Sequence, residues 1–300
     1  LRVINGKSTE MTDKNKAKNK EGEMSFLEHL EELRWVILHS VIAIVACMFI
    51  ALFFKSFLFD TVILGPTNPD FWTNRMLCRF GELINKNLCI NSDPTLFNLI
   101  NIKMAGQLTV HFAVAIVAGL ILATPYVVYQ FWTFLRPALH DNEKKSSRGA
   151  VLVISGLFIL GVVFGYFLLV PLSIHFLTSY NVSDDVVNQI NIRSYISTIS
   201  GICLATGIIF ELPVLAFFLT KIGMLTPEFM KKYRRHAIVL IVILSAIITP
   251  PDVFSQCLVA IPILILYEVS IRISANIIKK RERAFNDMME EDTSELATTE

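Results

Sequence analysis

The residues of this 300-residue chain best placed to do chemistry are carboxylates in unusual settings. Glu211 stands inside an apolar run, in Ile209-Phe210-Glu211-Leu212-Pro213. An ionised acid at such a depth costs at least several kcal/mol, about 3 or more, unless it is paired or wetted. Pro213 cannot donate to its helix and frees the carbonyl of Ile209, so the helix should bend beside Glu211. A bend next to a buried acid predicts a concave, wet pocket. The alternative is a structural hydrogen bond to a neighbouring helix. Glu268 is the second acid in an apolar run, and snorkelling or an i+4 pair with Arg272 accounts for it more simply.

A second set of acids sits outside the apolar runs. In Ser25-Phe26-Leu27-Glu28-His29-Leu30-Glu31-Glu32-Leu33-Arg34, the residues Phe26, Leu30 and Leu33 form an apolar stripe, with Glu28, Glu31 and Glu32 off it. Ser25 with Glu28 has the spacing of a capping box. By itself this is an amphipathic lead-in helix with a solvated face. A later loop, Arg136-Pro137-Ala138-Leu139-His140-Asp141-Asn142-Glu143-Lys144-Lys145, adds acids on the same side. Two carboxylate sites on one membrane face could hold two guanidinium groups, each in a two-bond fork. Signs of enzymatic catalysis are missing: the sequence contains no H-E-x-x-H, G-x-S-x-G, C-x-x-C or Walker loop. His111 is alone in its apolar run and reads as an interior histidine. His29, His39, His140, His175 and His236 have no metal-ligand spacing. No catalytic residue, metal or cofactor is expected.

The elements that position these acids follow from composition. Hydrophobic residues make up 53% and charged residues 18%, and mean hydropathy is +0.55. A soluble surface needs about a quarter charged residues. The composition excludes a disordered chain, a coiled coil and a disulfide-stapled secreted domain. A net charge of +1 offers nothing to nucleic acid. An all-α integral membrane protein remains. Spanning helices need about 20 apolar residues to cross about 30 Å. Residues 35–54, 104–128, 150–170 and 196–220 qualify. Residues 237–248 cover only about 18 Å at the helical rise. The breaker Thr249-Pro250-Pro251-Asp252 follows, and then the short run 258–271, which carries Pro262 and Glu268. These last two runs read as a hairpin of short helices, either a true double crossing or a re-entrant pair.

Basic residues alternate between the connections. The short loop after the second span carries Arg136, Lys144, Lys145 and Arg148, and that after the fourth carries Lys221, Lys231, Lys232, Arg234 and Arg235. The connection after the third has Arg193 alone. Lys and Arg collect on cytoplasmic flanks, so both termini are expected in the cytoplasm. Residues 1–23 are polar and Lys-rich and read as disordered, 24–275 as the six-span core, and 276–300 as a cytoplasmic tail that turns acidic and Thr-rich. Met11 and Met24 are candidate starts, and no cleavable signal peptide is expected because the first apolar run begins too far in. In the long outer loop, residues 71–88 have apolar residues at helical spacing. They suit an amphipathic helix lying on the membrane or capping the bundle, or one packed into the core. Cys78 and Cys89 would lie about 16 Å apart in one unbroken helix, so a disulfide between them requires a break.

Four separated motifs resemble the TatC family of the twin-arginine translocase over residues 24–275. They are His29-Leu30-Glu31-Glu32-Leu33-Arg34, the Pro125-Tyr126 to Pro137-Ala138-Leu139 segment containing Tyr129-Gln130-Phe131-Trp132 and Phe134, then Phe210-Glu211-Leu212-Pro213, and Thr249-Pro250-Pro251-Asp252-Val253-Phe254-Ser255-Gln256. The resemblance implies six transmembrane helices in a cupped bundle with the last two short, in the bacterial cytoplasmic (inner) membrane. It implies recognition of twin-arginine signal peptides on folded cargo, the single-span A and B components of the translocase as partners, a homo-oligomer within the complex, and export driven by the proton-motive force. By it, Glu32 and Glu143 bind the arginine pair, and Arg34, Pro66, Phe134, Glu211 and Asp252 match other positions the family uses. Glu31 beside Glu32 offers a second acceptor. The rival reading is a proton-coupled small-molecule transporter with Glu211 as proton carrier. That class tends to show repeats and a second midplane polar group, and neither is apparent.

Overall fold

The computed structural model describes residues 26–68, 70–83, 99–135, 147–180, 183, 189–249 and 253–298. Residues 1–23, expected to be disordered, and Ser25 of the expected capping box lie outside them. Helices dominate. They are α1 (Phe26–Phe53), α2 (Trp72–Leu83), α3 (Gly106–Leu135), α4 (Ser147–Phe164), α5 (Val170–Ser179), α6 (Ile192–Phe210), α7 (Leu212–Ile222), α8 (Pro227–Lys232), α9 (Arg234–Ile248) and α10 (Val253–Thr298). Among the described residues, five helical stretches are long and apolar enough to cross a membrane: Leu30–Phe53, Gly106–Phe134, Gly149–Ser179, Ile192–Ile222 and Gln256–Asp287. Two of them are interrupted. A π-helical turn, Gly165–Leu169, joins α4 to α5 ahead of Pro171. Glu211 separates α6 from α7, where the Pro213 pattern predicts a bend.

The element after α8 is short, as its hydropathy predicts. α9 has 15 residues, about 22 Å of helix against about 30 Å of hydrocarbon. Two boundaries differ from the sequence expectation. The lead-in segment is not a separate amphipathic helix but the first turns of α1, continuous with the first span. The short apolar run 258–271 lies inside α10, which continues for 46 residues in all. Residues 272–298 contain neither Gly nor Pro and are rich in Lys, Arg, Glu, Met and Ala, so nothing stops the helix at the end of its apolar part. The region read as a tail is therefore helical as far as Thr298.

Packing follows small residues. α1 lies along α3. A Cβ at Gly119 of α3 would sit 2.7 Å from the backbone nitrogen of Met48, so any larger residue would push α1 away. α4 crosses α6 equally closely: a Cβ at Gly161 would sit 2.6 Å from the carbonyl oxygen of Thr206. Lipid supplies no hydrophobic drive between spans, so such close backbone approach is what lets dispersion hold them together. Hydroxyl groups add to it where α7 meets α10, with Thr220 Oγ1 donating to Ser274 Oγ at 2.9 Å, both buried.

The end of the bundle away from the first turns of α1 is built around the chain leaving that helix. A π-helical turn (Phe57–Ile63) and a 3₁₀ turn (Gly65–Thr67) follow that helix. Tyr166 donates to the carbonyl of Val62, and Tyr195 to that of Ile63, both at 2.7 Å. Asn74 of α2 donates to the carbonyl of Asn68 at 2.9 Å, and Thr73 Oγ1 to that of Phe167. Thr73 and Asn74 are buried, whereas the apolar Trp72 and Met76 are exposed. At Trp72 and Met76, α2 thus follows the amphipathic reading of residues 71–88; residues 84–88 lie outside the described residues. A two-residue parallel ladder pairs β1 (Leu99–Ile100) with β2 (Ile190–Asn191) and ties together the connections that lead into α3 and α6. Hydropathy carries no sign of these strands. Cys78 is disulfide-bonded, while Cys47, Cys203 and Cys257 are free thiols. Of the five cysteines this leaves Cys89, which lies outside the described residues.

Candidate functional site

The acids on α1 sit on its first two turns, and their placement follows helical geometry. Glu31 and Glu32 are adjacent on the helix, so their side chains diverge by about 100°. Glu31 is exposed. Glu32 is half-buried, and its Oε2 is buried with no hydrogen-bond partner among the described residues. A charged acceptor left unsatisfied costs on the order of 1–3 kcal/mol or more. Glu32 is thus a carboxylate held ready for a donor. Arg34, two residues further along, is exposed. Glu143, the second expected acid, lies with the whole 136–146 loop outside the described residues, as does Asp252.

By the alternating charge of the connections, the last turn of α3 ends on the same membrane face as these acids. Phe134 is half-buried in that turn. Trp132, 7% exposed, packs on Phe218 of α7 with ring centroids 5.5 Å apart. Its indole Nε1 is buried and has no hydrogen-bond partner among the described residues. In the sequence, Trp132 stands out only as one member of a motif. The available signal was a tryptophan one turn from the end of a span, where an indole N–H normally finds a polar partner.

Glu211 occupies the single non-helical step between α6 and α7. The residue is half-buried, and both carboxylate oxygens are buried. The backbone of Phe158 on α4 is close by. Neither oxygen, however, makes a hydrogen bond of standard geometry among the described residues. The structural alternative, a hydrogen bond to a neighbouring helix, has its candidate donor in that Phe158 backbone. The break between α6 and α7 thus holds an acid within the span, its carboxylate oxygens buried beside the Phe158 backbone.

Glu268 does not pair with Arg272. It forms an ion pair with Arg234 at the start of α9, bridging α9 to α10. Pro66 is buried in the 3₁₀ turn that follows α1, and its carbonyl faces Asn74 at 3.4 Å. That position lies beyond the end of α1 opposite to the acids, so it does not share their end of the bundle. His111 is half-buried against Phe59, ring centroids 5.7 Å apart, with its Nε2 unpartnered among the described residues. The described residues contain no group of three or more His, Cys, Asp or Glu side chains placed to hold a metal ion.

The arrangement suits binding: among the described residues, Glu32 and Glu211 hold buried carboxylate oxygens without a hydrogen bond of standard geometry. Comparison with known proteins agrees. Residues 28–262 match the family described as Sec-independent protein translocase protein (TatC). A TatC from Blattabacterium of Periplaneta americana is 40% identical over 268 residues, 88% of this chain and all of that protein. The Aquifex aeolicus TatC is 33% identical over 249 residues, covering 83% of this chain and 93% of its own. A crystal structure of a twin arginine translocase receptor, TatC, superposes with a TM-score of 0.65 at 32% identity, covering 82% of this chain and 99% of that one. The chain therefore belongs to the TatC family, and it is a multi-pass membrane protein of Tat protein transport rather than an enzyme.

Proposed function

We propose that this chain is the signal-recognising core of a twin-arginine export system. It binds the arginine pair of signal peptides on folded cargo and assembles with single-span partner proteins for translocation driven by the proton-motive force. The observation that carries this reading is the buried Oε2 of Glu32 on α1, which has no hydrogen-bond partner among the described residues, with Glu31 exposed beside it. A planar guanidinium fits a carboxylate by a two-bond fork, which an ammonium cannot copy. Glu143 takes the second arginine, and the chain lies in the bacterial cytoplasmic membrane with both termini inside. Several copies work together in the complex. The decisive experiment is co-purification of the full chain with a twin-arginine signal peptide, set against its Lys-Lys variant. Equal retention of the two peptides defeats the reading.

Orientation is tested separately. Single cysteines at Asn142 and Asn91, in a cysteine-free background, should differ in labelling by an impermeant thiol reagent applied to intact cells. Asn91 is expected to label and Asn142 to stay unlabelled, because Lys and Arg cluster on the 136–148 side. Labelling of Asn142 from outside reverses the topology.

Partner docking should follow the short helix. α9 leaves the bilayer mismatched, and a helix docked against it relieves that cost. Its Val239, Ile243 and Ile247 are 57–75% exposed at four-residue spacing. Disulfide crosslinks from a single-span partner are expected to cluster on residues 237–248, strongest at these three. Crosslinks confined to α1 and α4 would defeat the assignment.

A further inference from the structure

A groove of about 350 Å³ runs between α7, α9 and α10, floored by α8. Its walls are almost wholly apolar, with Leu212, Leu215, Leu219, Leu240 and Met230 among them. Leu215, Phe229 and Leu240 are more than half exposed, so the groove opens sideways toward the lipid rather than into the bundle. The Tyr267 hydroxyl closes one end by donating to the carbonyl of Met230 at 2.9 Å.

The other feature is the rim. Phe229 and Tyr233 have ring centroids 4.5 Å apart, and Tyr233 and His236 are 5.7 Å apart, which makes an aromatic edge at one end. Aromatic rings of this kind sit at headgroup level. Around that edge the segment 221–236 holds Lys221, Lys231, Lys232, Arg234 and Arg235 against one acid, Glu228. Arg234 is neutralised by Glu268. Lys231, Lys232 and Arg235 are exposed and make no ion pair among the described residues. The Lys232 ammonium stands 6.0 Å from the Tyr233 ring, which lines the mouth.

An apolar slot open to the bilayer and crowned by unpaired cations matches one occupant in both its halves. We infer that the groove is a binding site for an anionic phospholipid. An acyl chain lies along Leu215, Leu219 and Leu240, and the phosphate is held at the mouth by Lys232 and Arg235. A partner helix would fill the apolar part but give the cations no counter-charge. A zwitterionic lipid would meet them with its own positive group. Basic pockets between spans on a charged leaflet select acidic headgroups for this reason. The site is separate from the acids of α1 and from the outward row Val239, Ile243 and Ile247 of α9.

The test is native mass spectrometry of the delipidated full chain, titrated with phosphatidylglycerol or with phosphatidylcholine of the same chains. The first phosphatidylglycerol is expected to bind about tenfold tighter than phosphatidylcholine, given about two basic groups at the headgroup. Lys232→Gln with Arg235→Gln should abolish that preference, and both positions are exposed, so the fold is left alone. Leu215→Trp, which fills the slot from its exposed side, should remove the first-bound lipid while monodispersity is kept. Equal binding of the two lipids to the unaltered chain shows annular lipid only and overturns the site. So does a preference that survives the double substitution, or first-lipid binding that survives Leu215→Trp. A dimer that forms through the groove and excludes lipid overturns it in favour of a second copy.

Discussion

Alanine at Glu143 or at Glu32 is expected to weaken binding of a twin-arginine signal peptide without unfolding the bundle. Glu32 is half-buried with one oxygen unpartnered among the described residues, so its removal takes away an unsatisfied acceptor and costs the fold little. Binding is another matter. A fully exposed ion pair contributes under about 1 kcal/mol. A partly desolvated interfacial pair costs about 2–5 kcal/mol on truncation. A site half in water falls between the two, and a loss on the order of tenfold in affinity is expected at each position. Glu143→Ala should be the cleaner loss, because Glu31 stands beside Glu32 and replaces it in part. The replacement is incomplete, since neighbouring helix positions point about 100° apart. Lysine at either position should be worse than alanine, because it repels the incoming arginine. Photo-crosslinking of the Arg-Arg peptide and its Lys-Lys form to each variant reads this directly. If both alanine variants bind the Arg-Arg peptide as the unaltered chain does, with the same preference over Lys-Lys, these acids are a solvated face and the assignment is wrong.

At Glu211 the expected order is glutamine mild, alanine and leucine severe. The acid stands at the α6–α7 break with both oxygens buried and no hydrogen bond of standard geometry among the described residues. Glutamine keeps the shape and an acceptor, so a polar contact to a partner or an inserted signal peptide survives. Transport should stay within about threefold of the unaltered chain, under about 0.7 kcal/mol. Leucine removes every polar atom at that depth, and a fall of about tenfold or more is expected. Transport of a folded twin-arginine reporter, normalised to protein level, separates the cases. Complete loss in Glu211→Gln at normal protein level points instead to an obligatory proton carrier and favours the proton-coupled transporter.

What depends on neighbours along the chain was legible before any fold was in hand. Four long apolar runs predict four of the helices, because hydropathy over about 20 residues decides partition into lipid. The break at Glu211 was readable from Pro213 two residues on. The shortness of α9 was readable from its residue count. TatC membership was readable because four motifs keep their order along the chain. Boundaries were less legible. The polar first turns of α1 and the polar last turns of α10 look like ends by hydropathy, yet good helix formers without Gly or Pro carry the helix through.

Which distant groups meet came from the packed chain alone. Tyr195 reaches the carbonyl of Ile63 across 132 residues, and Thr220 reaches Ser274 across 54. Glu268 chose Arg234 on another helix over Arg272 on its own, because α9 brings that guanidinium to it. The face of α2 that turns inward carries Thr73 and Asn74, since the carbonyls of Phe167 and Asn68 accept from them there, and this sends Trp72 outward. The lipid-facing groove exists in none of its walls alone, because α7, α9 and α10 make a slot only when packed. Patterning is a local property and reports which face of an element is apolar. Partner choice depends on where the chain returns in space, which no window of neighbouring residues contains.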